Sequence, residues 1–268
     1  MNDTSLLFSE RDLLFLIKTL IPNCSDCTRM MRVLRDDEEI LEGMLSDEKL
    51  FKILIENPDS IIRVSPHLFF TVLLNRVKND LKSKSFTVER QARLQMIVFD
   101  SDEVYDLVNE IKMRNYLADM LTSFVKINSF TIPIRVRKGV WRKFRFSDFD
   151  INSLIKYSQM IDEEQRYHPY KRIADICLFT IGIFPDFLHL NRAGLSEQFR
   201  GLTQKSREDF TNYGRYFYKA AARHKVAQLQ EIDQLLMTLS ENFMLAAKPL
   251  NYMVSQYLGN LKDELFLQ

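Results

Sequence analysis

Six basic residues and the chain's only tryptophan fall within one acid-free stretch, TIPIRVRKGVWRKFRF, from Thr131 to Phe146. Strand-forming residues alternate along it and Gly139 interrupts it, which predicts a β-hairpin whose loop decides the facing of every side chain. With Arg137-Lys138-Gly139 as a three-residue loop and Gly139 left-handed, Val136 opposes Val140. Ile132, Ile134, Val136, Val140, Phe144 and Phe146 then share one face with Arg142 as the single misfit, and Arg135, Trp141, Lys143 and Arg145 share the other. A two-residue loop mixes Val136 and Trp141 with Lys143 and Arg145, a poorer segregation. Cations around an indole are the composition that stacks on bases and follows phosphates. The same composition suits an acidic protein partner, and it also describes a solvated edge, where Lys, Arg and Pro133 block strand-to-strand aggregation.

A second set of candidates lies further on. YKRIADICLFTIGIFPDF places Arg172 and Asp175 three apart on a helix whose other face is apolar, and YGRYFYKAAARH sets Arg215 among Tyr213, Tyr216 and Tyr218. Arg172, Asp175, Arg215 and Tyr216 are the candidates for a polar pocket, because guanidinium groups stack on rings and capture carboxylates. The competing reading is structural packing at helix contacts, with Arg172 and Asp175 as an ordinary ion pair. Cys24 and Cys27 have the spacing of a zinc half-site or a redox pair, but no second pair of ligands follows and the pair lies between two helices, not after a strand, so two ordinary loop cysteines are the default. His67, His168, His189 and His224 are scattered, and no phosphate-loop, dinucleotide or nucleophile-elbow motif occurs. No metal or cofactor is implied.

These groups need elements to position them. With 7 Gly and 7 Pro in 268 residues, the chain favours helices joined by short loops. Ser9 and Asp12 frame the start of a helix over 10–21, and CTRMMRVL and DEEILEGML read as two short ones. DEKLFKILIE follows with Ser46 as its cap and stops before Pro58. Ser65 and Pro66 open an amphipathic helix through Leu81. Helix is expected from Thr87 to Phe99, and one long helix, straight or bent, from Asp102 to Val125. Beyond the hairpin, Asp150 opens a helix through Met160, and Pro169 opens the most apolar helix of the chain. Three more are expected over 206–224, 226–246 and 249–265, the last starting at Pro249. Their stripes must bury against one another or a second subunit.

The two stretches around Arg172 and Arg215, with YLADML at Tyr116–Leu121, resemble an uncharacterised family of bacterial helical proteins. That family carries L-F-x-x-G-x-F-P, here Leu178–Pro185, followed by G-R-x-x-Y, here Gly214–Tyr218. The resemblance covers about a third of the chain and implies no activity. Tyr213-Gly214 with Phe217 also looks like the first helix of a tetratricopeptide repeat, although no self-similarity of ~34 residues recurs.

Lys+Arg 37 against Asp+Glu 36 leaves a formal charge of +1, so no global field draws the chain to nucleic acid or anionic lipid. The longest apolar run, Ile176–Phe184, is too short to span a bilayer. The N-terminal residues lack a basic segment and a small-residue cleavage site, so a cytoplasmic location away from membranes is expected. The expected fold is mainly α, a multi-helix orthogonal or bundle-like array with one β-hairpin. Helical segments 1–126 and 150–268 flank the hairpin of 127–149 and form one body. The expected role is a non-catalytic scaffold or regulatory protein with a protein partner or a homodimer. The alternatives are nucleic-acid binding through the hairpin and a helical enzyme without a known motif.

Overall fold

The computed structural model describes residues 8–84, 86–91, 94–98, 100–126, 129–137, 140–185, 205–259 and 261–266; of 58–59, 88–91, 94–97, 129–137 and 140–146 it describes the backbone. The chain is mainly α-helical and divides into two compact units. The first comprises Met1–Thr87, Ile97–Val125 and Tyr252–Leu265, and the second Val88–Met96, Lys126–Asn251 and Phe266–Gln268.

In the first unit, α1 (Glu10–Leu20), α2 (Cys27–Asp36), α3 (Glu38–Leu45), α4 (Glu48–Glu56) and α5 (Pro58–Arg63) lead to α6 (Pro66–Leu81). The capping box of α1 forms as expected: Asp12 N–H donates to Ser9 Oγ, and Ser9 N–H donates to the Asp12 carboxylate. The buried Asp12 also accepts from the N–H of Ser65, the N-cap of α6, at 2.8 Å. One carboxylate therefore satisfies orphan donors at two helix starts. The cap of α4 is Asp47, while Ser46 ends α3. A carboxylate on β-region backbone, closer to the first turn, takes the role expected of the hydroxyl.

The expected single helix over 102–125 is two helices, α7 (Ser101–Asn109) and α8 (Ile111–Val125). Glu110 between them is extended, with φ −67° and ψ 120°. Arg114, with 2% of its surface exposed, donates to the carbonyls of Val108 at 2.6 Å and Asn109 at 2.7 Å. Those carbonyls are left open by the break, and the guanidinium closes them. Its charge is met by Glu42 of α3, to which Lys78 of α6 also donates, at 2.8 Å. Burial lowers the pKa of Arg114 and Glu42 opposes that shift.

Where one β-hairpin was expected, the described residues form two two-stranded sheets. Thr87–Gln91 (β1) and Leu94–Val98 (β2) pair where a helix was expected. Thr87, Val88, Ile97 and Val98 are β-branched residues that fit a pleated surface better than a helix. Ser129–Arg137 (β3) and Val140–Ser147 (β4) pair antiparallel, with Ile132 opposite Phe144, Arg135 opposite Trp141, and an irregularity between Arg135 and Arg137.

The second unit is built on α9 (Ile151–Met160), α10 (Tyr167–Ile183) and α11 (Arg207–Ala222), followed by α12 (Lys225–Leu229), α13 (Asp233–Glu241) and α14 (Phe243–Met253). From Ile173 to Ile183 every residue of α10 is buried. Its one hydroxyl there, Thr180, donates back to Ile176 O at 2.7 Å, so no polar group is left open. Each large apolar side chain in that run stabilises the fold by roughly 1.5–3 kcal/mol. Gly214 of α11 lets the ring of Phe243 lie so close that an added Cβ would stand 2.1 Å from it.

The helix expected over 226–246 breaks twice, at Glu231, whose φ of 55° is left-handed, and at Asn242. Pro249 lies inside α14 instead of starting a helix. A π turn over Val254–Leu258 and Gly259 at φ 48° then precede α15 (Leu261–Phe266).

Candidate functional site

A cleft of about 530 Å³ opens in the second unit. Ile155, Ser158 and Gln159 come from α9, Tyr170 from α10, and Asp209, Asn212, Tyr213, Tyr216 and Phe217 from α11. Asp150 starts α9 by accepting from Asn152 N–H at 3.1 Å. Ser206 and Asp209 start α11 with a reciprocal capping box. Those caps set the phase of both helices. On α11, residues 209, 212, 213 and 216 then form one surface row at helical spacing.

The rings make a packed floor and one raised edge. Phe217 is buried and touches Tyr170 at 5.5 Å, stacks with Tyr213 at 6.2 Å and 18°, and meets Tyr216 edge to face at 5.0 Å. Tyr216 keeps 66% of its surface exposed. The ammonium of Lys205 lies 4.5 Å from the Tyr213 centroid. Asp209 is held below the ordinary carboxylate range by the N–H and hydroxyl of Ser206, so it is ionised at neutral pH. The cleft thus offers aromatic surface for an apolar or planar group, with a rim of hydroxyl, amide and carboxylate groups.

Of the four residues expected to share a polar pocket, Tyr216 alone lines this cleft. Arg172 donates through Nε to Asp148 O at 2.8 Å and approaches Asp148 Oδ2 at 3.3 Å, tying α10 to the turn after β4. Burial lowers its pKa, opposed by Asp148 and Asp175. Asp175, 3% exposed, accepts from Lys171 Nζ and from Tyr218 OH, both at 2.8 Å. Arg215 donates to the carbonyls of Ser240 and Glu241 at the end of α13, and Ser240 Oγ returns a bond to Arg215 O. The arginine closes a helix terminus.

For the hairpin candidates, the backbone makes Arg135 a partner of Trp141, Pro133 of Lys143, and Thr131 of Arg145. The outer face assigned to Arg135, Trp141, Lys143 and Arg145 concerns side chains outside the described residues. His189 is also outside them. His67 bonds Asp119 at 3.0 Å, and His224 caps α12 and bonds Glu163 O. Burial, then Asp175, push the Tyr167 hydroxyl up to about 12. Among the described residues no group of three or more His, Cys, Asp or Glu side chains could hold a metal ion, and no helix is long and apolar enough to cross a membrane.

Asp209, Asn212, Ser158 and Gln159 were absent from the sequence candidates. The signal for the first two was readable in the spacing 209, 212, 213, 216, hidden behind the stronger apolar stripe of Phe210, Gly214 and Phe217. Nothing in the spacing of α9 singles out Ser158 and Gln159, which enter only through packing. Compared with known proteins, the chain matches no family model, no curated protein and no solved structure.

Proposed function

We propose that the chain is a non-catalytic scaffold or regulatory protein acting through protein contacts, with the cleft of α9, α10 and α11 receiving a segment of its partner. The observation that supports this reading is Tyr216. Its ring stands largely exposed at the cleft, already oriented against Phe217, so little side-chain entropy is lost when a partner covers it. Preplaced tyrosines at a concave surface are the residues that dominate binding energy. Gln159 and Asn212 supply the polar rim that such a contact needs.

Selection from a random-peptide display library tests the reading. Cleft-binding peptides lose roughly 30-fold in affinity on Tyr216→Ala, the equivalent of about 2 kcal/mol for a central tyrosine. They keep their affinity on Leu229→Ala, at an equally exposed side chain on α12. Selection that yields no binder, or binders indifferent to Tyr216, overturns it. A second copy of the chain as the partner appears as a dimer in sedimentation that Tyr216→Ala dissociates.

The backbone register of β3 and β4 supports a second reading, single-strand nucleic-acid binding through Arg135, Trp141, Lys143 and Arg145. Replacing the three cations with Gln then lowers the slope of log affinity against log salt by about 2. Affinity that is absent or unaltered by that change removes this reading.

A further inference from the structure

We infer that Cys24 and Cys27 are a reversible dithiol site, which a low-molecular-weight disulfide such as oxidised glutathione converts to an intramolecular disulfide in the turn between α1 and α2. The geometry brings the two thiols together on an accessible turn. Asp26 is the N-cap of α2, Cys27 is the first residue of the helix, and Cys24 lies in the preceding turn with its N–H on Ile21 O. The Cys27 thiol turns back toward Cys24, donating to its carbonyl at 3.9 Å. Both cysteines are partly exposed, and Pro22, Asn23, Ser25 and Asp26 around them are exposed, so a small disulfide reaches the sulfurs.

The Cys27 thiol is engaged on the carbonyl of Cys24, and burial first, then the hydrogen bond to Cys24, raise its pKa against the charge of Lys18. The exchange therefore starts from Cys24. Its thiolate bonds to one sulfur of oxidised glutathione, the S–S bond breaks, and one glutathione leaves and takes a proton. Cys27 then loses its proton and attacks the Cys24 sulfur of the mixed disulfide, displacing the second glutathione. Two protein thiols give up two electrons and two protons, and one oxidised glutathione becomes two reduced molecules.

Cys177 is the internal control. It lies wholly buried in α10, and burial pushes its thiol far above the ordinary cysteine range. It stays reduced as long as the second unit is folded.

The test uses the full chain equilibrated in glutathione buffers of increasing oxidation, quenched with acid, alkylated and digested with trypsin. Both cysteines fall in one tryptic peptide, Thr19–Arg29. The expected result is that peptide two hydrogens lighter and unalkylated, restored by a dithiol reductant, with Cys177 thiol retained throughout. Cys27→Ser should instead accumulate a glutathione adduct on Cys24. Two alkylated thiols in Thr19–Arg29 under buffers that fully oxidise a model dithiol peptide would falsify the inference. So would a disulfide between chains, or no adduct in Cys27→Ser. Oxidation of Cys177 in parallel reports unfolding; a pair that oxidises only in that fraction also overturns it.

Discussion

Each unit buries a charged side chain, Arg114 in the first and Asp175 in the second, and closes it differently. In the first, Arg114 is drawn fully inside and used twice, as the seal for a broken helix and as the partner of Glu42. In the second, the buried run of α10 carries one charge, Asp175, held between Lys171 and Tyr218, and Arg172, just before the run, closes on Asp148. Arg114 seals a break in the backbone of its own unit, whereas Asp175 joins α10 to α11, two of the three helices that line the cleft.

The largest test of that contrast is Arg114→Met. Removing the guanidinium leaves Glu42 to Lys78 and reopens the carbonyls of Val108 and Asn109, and each acceptor buried without a donor costs about 1–3 kcal/mol. Urea denaturation should show that loss; a change under about 1 kcal/mol would mean the pair is no better than an exposed one. Next is Gly214→Ala, which drives a methyl into the Phe243 ring and should cost about 1–3 kcal/mol by overpacking. Thermal melting that is unaltered would show that the contact between α11 and Phe243 has slack. Tyr218→Phe removes one bond to Asp175 while Lys171 remains, so it should cost only about 1–2 kcal/mol. If it exceeded the arginine variant, the two units would not differ as described.

The smallest effect is in pH. Asp209 has a lowered pKa, so its contribution to α11 is complete above the ordinary pKa of an unfolded aspartate, about 3.9, and is lost as pH falls through the depressed folded value. Carboxyl chemical shifts should titrate at higher pH in Ser206→Ala, which removes the hydroxyl bond and keeps the N–H bond to Asp209, and equal titration in both proteins would remove the hydroxyl from the account.

Where local chemistry determines structure, the sequence was readable. Ser9 with Asp12, Ser65 with Pro66, and Asp150 each announce a helix start within a few residues, and the caps form as expected. The break at Glu110 was not readable, because the residue that permits it, Arg114, looks like any surface arginine until Glu42 meets it from 72 residues away. Periodicity through Glu231 was similarly misleading, since apolar spacing on both sides hides a left-handed residue. Arg172 and Arg215 admit two readings in the sequence, a site or packing at helix contacts, for a related reason. A guanidinium near rings or carboxylates has the composition of a site, yet both bind backbone carbonyls whose positions depend on the tertiary fold. The cleft shares that dependence, with three helices contributing and only α11 carrying a row that could be seen beforehand.

Asp80 carries a consequence for how the chain is made. Its carboxylate accepts from the hydroxyls of Tyr252 and Tyr257, at 3.0 and 2.6 Å, which lie 172 and 177 residues later. Burial and that bond push the Tyr257 hydroxyl far up. At roughly 5–20 residues per second, the ribosome needs about 9–34 s to reach Tyr252 after Asp80 has emerged. Throughout that interval α6 has Arg76, one turn back and 3.0 Å from Asp80, to occupy the acid. The first unit therefore begins forming early in synthesis but closes only after the second has been made, and a nascent chain stalled before Tyr252 presents Asp80 and Phe51 without the tyrosines that cover them.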